Sequence, residues 1–317
     1  MKATRTLLTL FMLAVFLEGT ARAAGSADTH CSFWIDLYRG EPVSFQSMID
    51  DLQGVSVIYI GESHTIARHH AEQVRIVTEL KGRGRSVVLA IEQVESFNQA
   101  ALDRYNSGEI DFMDFAAQTK WAERWSNYPD YRPLVEAAHA GGGTILALNA
   151  RTELVRDVAH NGREGISETF RAELPAPFHA SARYEKYVKK LLGVHSFVNE
   201  KSLHRVFQAQ AVRDDAMAGA IVRALREPGS RGKTMVVIAG AAHVAYGLGI
   251  PGRVKSALPD VTERILVLSQ SGELELGESE RKIFREIDFD HAGMRFLSLP
   301  VADYLMVTRF NRKDEDK

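Results

Sequence analysis

Val55-Ser56-Val57-Ile58-Tyr59-Ile60-Gly61-Glu62-Ser63-His64 starts as a β-branched apolar run and ends on a carboxylate and an imidazole. The run is about as long as a buried strand. Three others share its form. Val87–Ile91 ends on Glu92 and Gln93, Ile145–Leu148 runs into Asn149 and Arg151, and Met235–Ala239 runs into Gly240, Ala241, Ala242 and His243. Helical patterns separate them, so the expected class is α/β: an open, mostly parallel sheet flanked by helices. In such sheets ligands bind in the crevice at the carboxyl ends of the strands. Glu62, His64, Glu92, Asn149, Arg151 and His243 are therefore expected to meet at one sheet edge.

Working outward, a helical pattern begins near Ser44. A second helix over about 66–81 carries an apolar stripe of Ala71, Val74, Ile76, Val77 and Leu80. Short helices are expected through 96–140, with Gly141-Gly142-Gly143 opening the third strand. Residues 160–205 break the rhythm around Pro175 and Pro177 and predict a helical cap inserted in the core. A long amphipathic helix over about 203–226 returns to the fourth strand, 262–269 supplies a fifth, and 302–310 a terminal one. Residues 24–40 read as an irregular leader and 312–317 as a charged tail.

Lys2 and Arg5 precede an apolar segment from Leu7 to Leu17, and Ala21-Arg22-Ala23 has the small-residue pattern of a cleavage site. This is the form of a secretory signal ending near Ala23, and it implies a periplasmic or secreted protein. The expected organisation is a signal at 1–23 and one α/β domain over 24–317. That apolar core falls short of the ~20 residues that span a bilayer, and no later segment is apolar enough, so an integral membrane protein is not expected. Cys31 is the only cysteine, which excludes an internal disulfide, a CxxCH covalent haem site and a zinc site built on several thiolates. Loss of the signal takes the formal net charge from -2 to about -4. With its basic residues scattered, the chain has no footprint for nucleic acid.

The Gly-x-x-His spacing of Gly61–His64 recurs at Gly240–His243, each time after an apolar run. Glu92 follows Val-Val-Leu-Ala-Ile, where a carboxylate is costly unless it is paired, hydrogen-bonded or metal-bound. Two imidazoles and two carboxylates (His64, His243, Glu62 and Glu92) suit a divalent ion such as Zn, Mn or Fe. They equally suit a metal-free general base with its orienting acid, and a salt bridge from Glu92 to Arg151 is the structural alternative. His69 and His70 lie early in the following helix, either facing the crevice or as ordinary polar residues. Trp121, Trp125, Tyr128 and Tyr131 either line a flat pocket or belong to the core. Gln210, Asp214 and Met217 share a helix face, as a support for the histidines or as a solvated acidic patch.

Gly-Glu-Ser-His with the following His-His and Gln73, then Ile-Glu-Gln, Leu-Asn-Ala-Arg, Gln-x-x-x-Asp-Asp-x-Met-Ala and Gly-Ala-Ala-His before Gly-Ile-Pro, occur in this order between about 50 and 260. Together they resemble the ChaN-like haem-binding family, which is similar to the Tiki metalloproteases and the erythromycin esterases. The resemblance implies non-covalent haem, a role in haem or iron acquisition with iron-uptake components as partners, a tyrosine iron ligand and a homodimer. Tyr131, in a Tyr-x-Pro-Leu stretch, is the expected ligand and Tyr128 the second choice, with His70, Asn149 and Arg151 as further cofactor contacts. The hydrolytic relatives imply the alternative, a metal-dependent ester or peptide hydrolase acting through Glu62, His64, Glu92 and His243. The residues before Cys31 make no lipobox, a departure from the family that argues against a lipid anchor.

Overall fold

Strands form where β-branched runs gain two apolar neighbours, and the computed structural model has eight of them among the described residues, which are 32–178, 181–193, 200–270, 294 and 296–308. They are β1 (Ser32–Asp36), β2 (Glu41–Val43), β3 (Val57–Glu62), β4 (Val87–Glu95), β5 (Thr144–Asn149), β6 (Thr234–Gly240), β7 (Glu263–Leu268) and β8 (Tyr304–Thr308). One sheet holds them in the order β2-β1-β8-β7-β3-β6-β4-β5. From β5 to β8 all pairings are parallel, and β1 and β2 add an antiparallel edge. The expected signal at 1–23, Cys31 and the tail at 312–317 lie outside the described residues.

β3, β4 and β6 are apolar on both faces because helices cover both. Ile58, Ile60, Leu89, Ile91, Val236 and Ile238 enter one layer with the helices Phe45–Leu52, Ala67–Gly82 and Arg132–His139. Val57, Tyr59, Ala90, Met235, Val237 and Ala239 enter the other, against Glu200–Arg226 and Ile250–Ala257. The alternation follows the period of two along a strand. Between β5 and β6 the described chain is largely helical: Thr152–Asn161, Glu168–Arg171, Ala182–Gly193 and the 27-residue helix Glu200–Arg226.

Two expectations are corrected. The stretch 24–40 is not an irregular leader throughout, since 32–36 forms β1 by pairing with β8, Trp34 opposite Met306. A pairing so distant in sequence leaves little local trace, and of the five residues only Trp34 is fully buried. The second apolar run does not stop at Ile91. β4 continues to Glu95, with a register shift against β5 between Ile91 and Glu95. Irregularities of this kind re-aim side chains at sites, and here both Glu92 and Gln93 are buried.

Gly61 is required by close packing. A Cβ on it would lie 2.6 Å from Val244 Cγ2 and 3.0 Å from Ala241 Cα, in the short helix that carries His243. Gly61→Ala is expected to cost about 1–3 kcal/mol through overpacking, read as a lower urea midpoint with an unchanged slope. An unaltered midpoint would show that the two strand ends do not pack this closely.

Candidate functional site

Glu62, the last residue of β3, is 2% exposed and its carboxylate is fully engaged. Its Oε1 accepts from Tyr131 Oη at 2.6 Å, Gln93 Nε2 at 2.8 Å and His64 Nδ1 at 2.9 Å. Its Oε2 accepts from Gln73 Nε2 at 2.5 Å, with His70 Nε2 at 3.6 Å. His70 and Gln73 are one turn apart on the Ala67–Gly82 helix and so share a face. Burial alone would raise the Glu62 pKa, but the hydrogen bond and charge of His64, then His70 and Tyr131, hold it below the ordinary carboxylate value.

His64 follows the strand end. Its Nδ1 donates to Glu62, its carbonyl accepts from Asn127, and its ring meets Trp125 edge-on at 4.8 Å between centroids. The side chain is 25% exposed, and its Nε2 has Glu92 Oε2 at 4.0 Å, beyond hydrogen-bond reach. Burial pulls its pKa down, but Glu62 and Glu92 outweigh that and raise it above the usual histidine value.

Glu92 occupies the centre. Oε2 accepts from the Gly240 N–H at 2.7 Å, Oε1 accepts from Arg213 at 2.6 Å, and His243 Nε2 lies 3.4 Å from Oε1. Although burial opposes ionisation, His243 and Arg213 hold this carboxyl well below its ordinary range. His243 in turn donates from Nδ1 to Asp214. Burial works against its charge, but Glu92 and Asp214 push its pKa up to about 9. Asp214 also accepts from Tyr184 Oη, and Arg253 is 3.6 Å away. Asp215 holds Arg253 at 2.8 Å and Arg163 at 3.1 Å. The result is two imidazoles, each gripped at Nδ1 by a carboxylate, with Nε2 directed towards Glu92 between them. Chemically this can bind a group at Nε2 or move a proton there.

Of the residues expected from sequence, Glu62, His64, Glu92, His243, His70 and Tyr131 come together, and Asn149 joins through its Oδ1, which accepts from Arg213 at 3.2 Å. Arg151 is elsewhere: it pairs with Glu173 at 2.7 Å and lies 4.1 Å over the Phe97 ring. The partner of Glu92 is thus Arg213 and not Arg151. Tyr128 stacks on Trp121 at 5.6 Å, away from Glu62. His69 is pinned between the Ser63 N–H and the Ser269 carbonyl, and burial pushes its pKa down to about 4. Trp121, Trp125 and Tyr131 are core residues.

Sequence reasoning missed Arg213, Tyr184 and Arg253. Arg213 had a signal, a cation set next to the Asp214-Asp215 pair on the face that returns to β6. Tyr184 and Arg253 had none. Among the described residues no group of three or more His, Cys, Asp or Glu side chains is placed to hold a metal ion. Glu62 and Glu92 spend their oxygens on Tyr, Gln, Arg and backbone donors instead.

Four comparisons with known proteins follow from the fold and the sequence. The structure of ChaN from Campylobacter jejuni, described as binding haem cofacially, matches with a TM-score of 0.66 at 18% identity, covering 89% of this chain and 98% of that one. An erythromycin esterase mutant in its open conformation matches with a TM-score of 0.43 at 11% identity, over 74% and 76% of the two chains. The chloroplastic protein RETICULATA-RELATED 5 of Arabidopsis thaliana is 24% identical over 269 residues, 77% of this chain, which spans only 36% of that relative's length. A family model described as haem-binding uptake, Tiki superfamily, ChaN matches residues 48–254, a range that includes every member of the Glu62–His64–Glu92–His243 constellation. The chain belongs to the ChaN haem-binding uptake family of the Tiki superfamily.

Proposed function

We propose that this protein binds haem non-covalently in the crevice where β3, β4, β5 and β6 end. Family membership over about two thirds of the chain carries the reading, and the side chains of the crevice fit the group. His64 presents a ring nitrogen without a hydrogen-bond partner among the described residues. Glycine at 240 keeps a cradle open beside it, since a Cβ there would lie 3.0 Å from His64 Nε2. At the same sheet edge Phe97, 42% exposed, lies under the guanidinium groups of Arg151 and Arg124, an apolar face with cations suited to an apolar macrocycle bearing carboxylates. Haem held there would supply an iron that accepts a donor from the protein. The protein's part is to hold the donor, orient it and shield one ring face from water.

The proposal extends to an exported protein of iron acquisition with a leader at 1–23, to haem or iron-uptake components as partners, and to a homodimer. Among the described residues no helix is long and apolar enough to cross a membrane. Titration of the purified protein with hemin is expected to give a saturable Soret shift at a fixed stoichiometry. A spectrum that stays that of free hemin throughout would reject the proposal.

One observation favours a second reading. His64 and His243 both direct Nε2 towards Glu92, at 4.0 Å and 3.4 Å, as a water-activating pair in ester or peptide hydrolysis would. Turnover of an ester or peptide panel, abolished in His243→Ala, would support it. Absence of any turnover by the wild-type protein would exclude it for that panel.

A further inference from the structure

We infer that the helix Gln99–Asn106 stands in for a further strand and closes the β5 edge of the sheet to pairing with a second copy of this chain. The inference concerns assembly and does not depend on the haem reading. Among the described residues the sheet has two edges, β2 and β5. An edge strand exposes unpaired N–H and C=O groups on which another strand can add. The two edges differ in how far they carry that risk. β2 is three residues long and reads Glu41-Pro42-Val43, with a carboxylate and a residue that has no N–H to offer. β5 is six residues long, reads Thr144-Ile145-Leu146-Ala147-Leu148-Asn149 and carries no charge.

Side-chain amides occupy that second edge. Backbone groups along a strand point alternately to its two sides, so Ile145 and Ala147, two residues apart, turn the same way. The Asn106 carboxamide meets Ile145 as a strand residue would. Its Oδ1 accepts from the Ile145 N–H at 2.9 Å, and its Nδ2 donates to the Ile145 carbonyl at 2.9 Å. Gln99 Oε1 accepts from the Ala147 N–H at 2.8 Å, and its Nε2 reaches the Ile145 carbonyl at 3.5 Å. Asp103 accepts from that Nε2 at 2.7 Å, which fixes the end of the amide that faces Ala147.

The helix sequence explains the placement. Gln99, Leu102 and Asn106 lie at i, i+3 and i+7 and so share one face. Leu102 is fully buried in the layer that also holds Ile145, which seats the helix with one amide on each side of that anchor. An aliphatic side chain at 99 or 106 would cover the edge without meeting its N–H groups, whereas a carboxamide carries a donor and an acceptor, as a peptide group does. The pair thus does for β5 what proline does for β2. A second copy is the partner excluded, because it brings an identical uncharged edge. Two such strands related by a two-fold axis can pair antiparallel and meet each other's outward groups.

Hydrogen exchange and sedimentation velocity test this on the wild-type protein, on Gln99→Ala/Asn106→Ala, and on that double variant with Ala147→Pro added. In the wild-type protein the Ile145 and Ala147 amide hydrogens should be protected from exchange. In the double variant both should exchange about tenfold faster or more, and association should rise with concentration beyond that of the wild type. Proline at 147 removes an N–H that points away from β4, so it should return the double variant to the wild-type sedimentation profile. Fast exchange at Ile145 and Ala147 in the wild-type protein would overturn the inference, a measurement that needs no variant to fold. So would a folded double variant that exchanges faster yet sediments like the wild type at every concentration, since the bulk of the helix and not its amides would then close the edge. Association that persists with Ala147→Pro present would lie at another surface and overturn it as well.

Discussion

Asp214→Ala is expected to lower the folding free energy by about 3–5 kcal/mol, the usual cost of removing one partner from a buried ionic group. It is also expected to flatten the loss of stability on the alkaline side. Asp214 is 0% exposed and accepts from both His243 and Tyr184. Without it, the charged His243 keeps Glu92 as its one carboxylate neighbour among the described residues, with the Gln210 amide beside its ring, and the Tyr184 hydroxyl is left buried without this acceptor. The sign of the pH effect follows from His243. Its pKa is raised from 6.5 to about 9 on folding, so its contribution is complete below about pH 6.5 and is lost as the pH rises through about 9. In Asp214→Ala the folded pKa falls, and less stability remains to be lost over that interval. Urea midpoints at pH 6 and pH 10 are the measurement. Titration of Glu263, which burial raises to about 7, is common to both proteins and cancels in the comparison. A variant whose midpoint drops by the same amount as the wild type's between the two pH values would refute the coupling.

Glu62→Gln is expected to cost a similar amount, about 3–5 kcal/mol, although the shape barely changes. The carboxylate accepts from four donors. A glutamine turns one acceptor oxygen into a donor, so at least one of these N–H or O–H groups meets another donor in a site without water access. Each buried polar group left unpaired costs ~1–3 kcal/mol. Tyr131→Phe removes one of the four donors, so the double variant should be less unstable than the sum of the singles, by about 0.5–3 kcal/mol. Chemical denaturation of the four proteins measures the coupling. Strict additivity would mean that Tyr131 and Glu62 do not share a hydrogen bond that matters to folding.

The central parallel strands were legible because Val-Ile-Tyr-Ile, Val-Val-Leu-Ala-Ile and Met-Val-Val-Ile-Ala are buried on both faces, and the sequence states this as unbroken apolar runs. Their carboxyl ends were legible for the same reason, since Glu62, Glu92 and His243 interrupt runs that have no other use for charge. β1 was not legible. Trp34 is buried by pairing with a strand more than 250 residues away, and Phe33-Trp34-Ile35 is too short an apolar run to stand out as a strand. The partner of Glu92 was misjudged because Asn149-Ala150-Arg151 directly follows a strand in sequence, whereas Arg213 reaches the site from the middle of the Glu200–Arg226 helix. Helical period tells which residues share a face, but not which carboxylate that face will meet. For Asp214 the pattern left a solvated patch and a support for the histidines equally open. Burial decided for the support, because the helix lies against β6 and the Ile250–Ala257 helix rather than in solvent. Tyr131 was named as a site residue through the resemblance, and the structure places its hydroxyl on Glu62.

The most direct measurement is anomalous diffraction at the iron edge from crystals of the hemin complex. The account predicts iron density in the crevice where β3, β4, β5 and β6 end, with Tyr131 still hydrogen-bonded to Glu62. Iron density only at sites remote from the ends of β3, β4, β5 and β6 would contradict it.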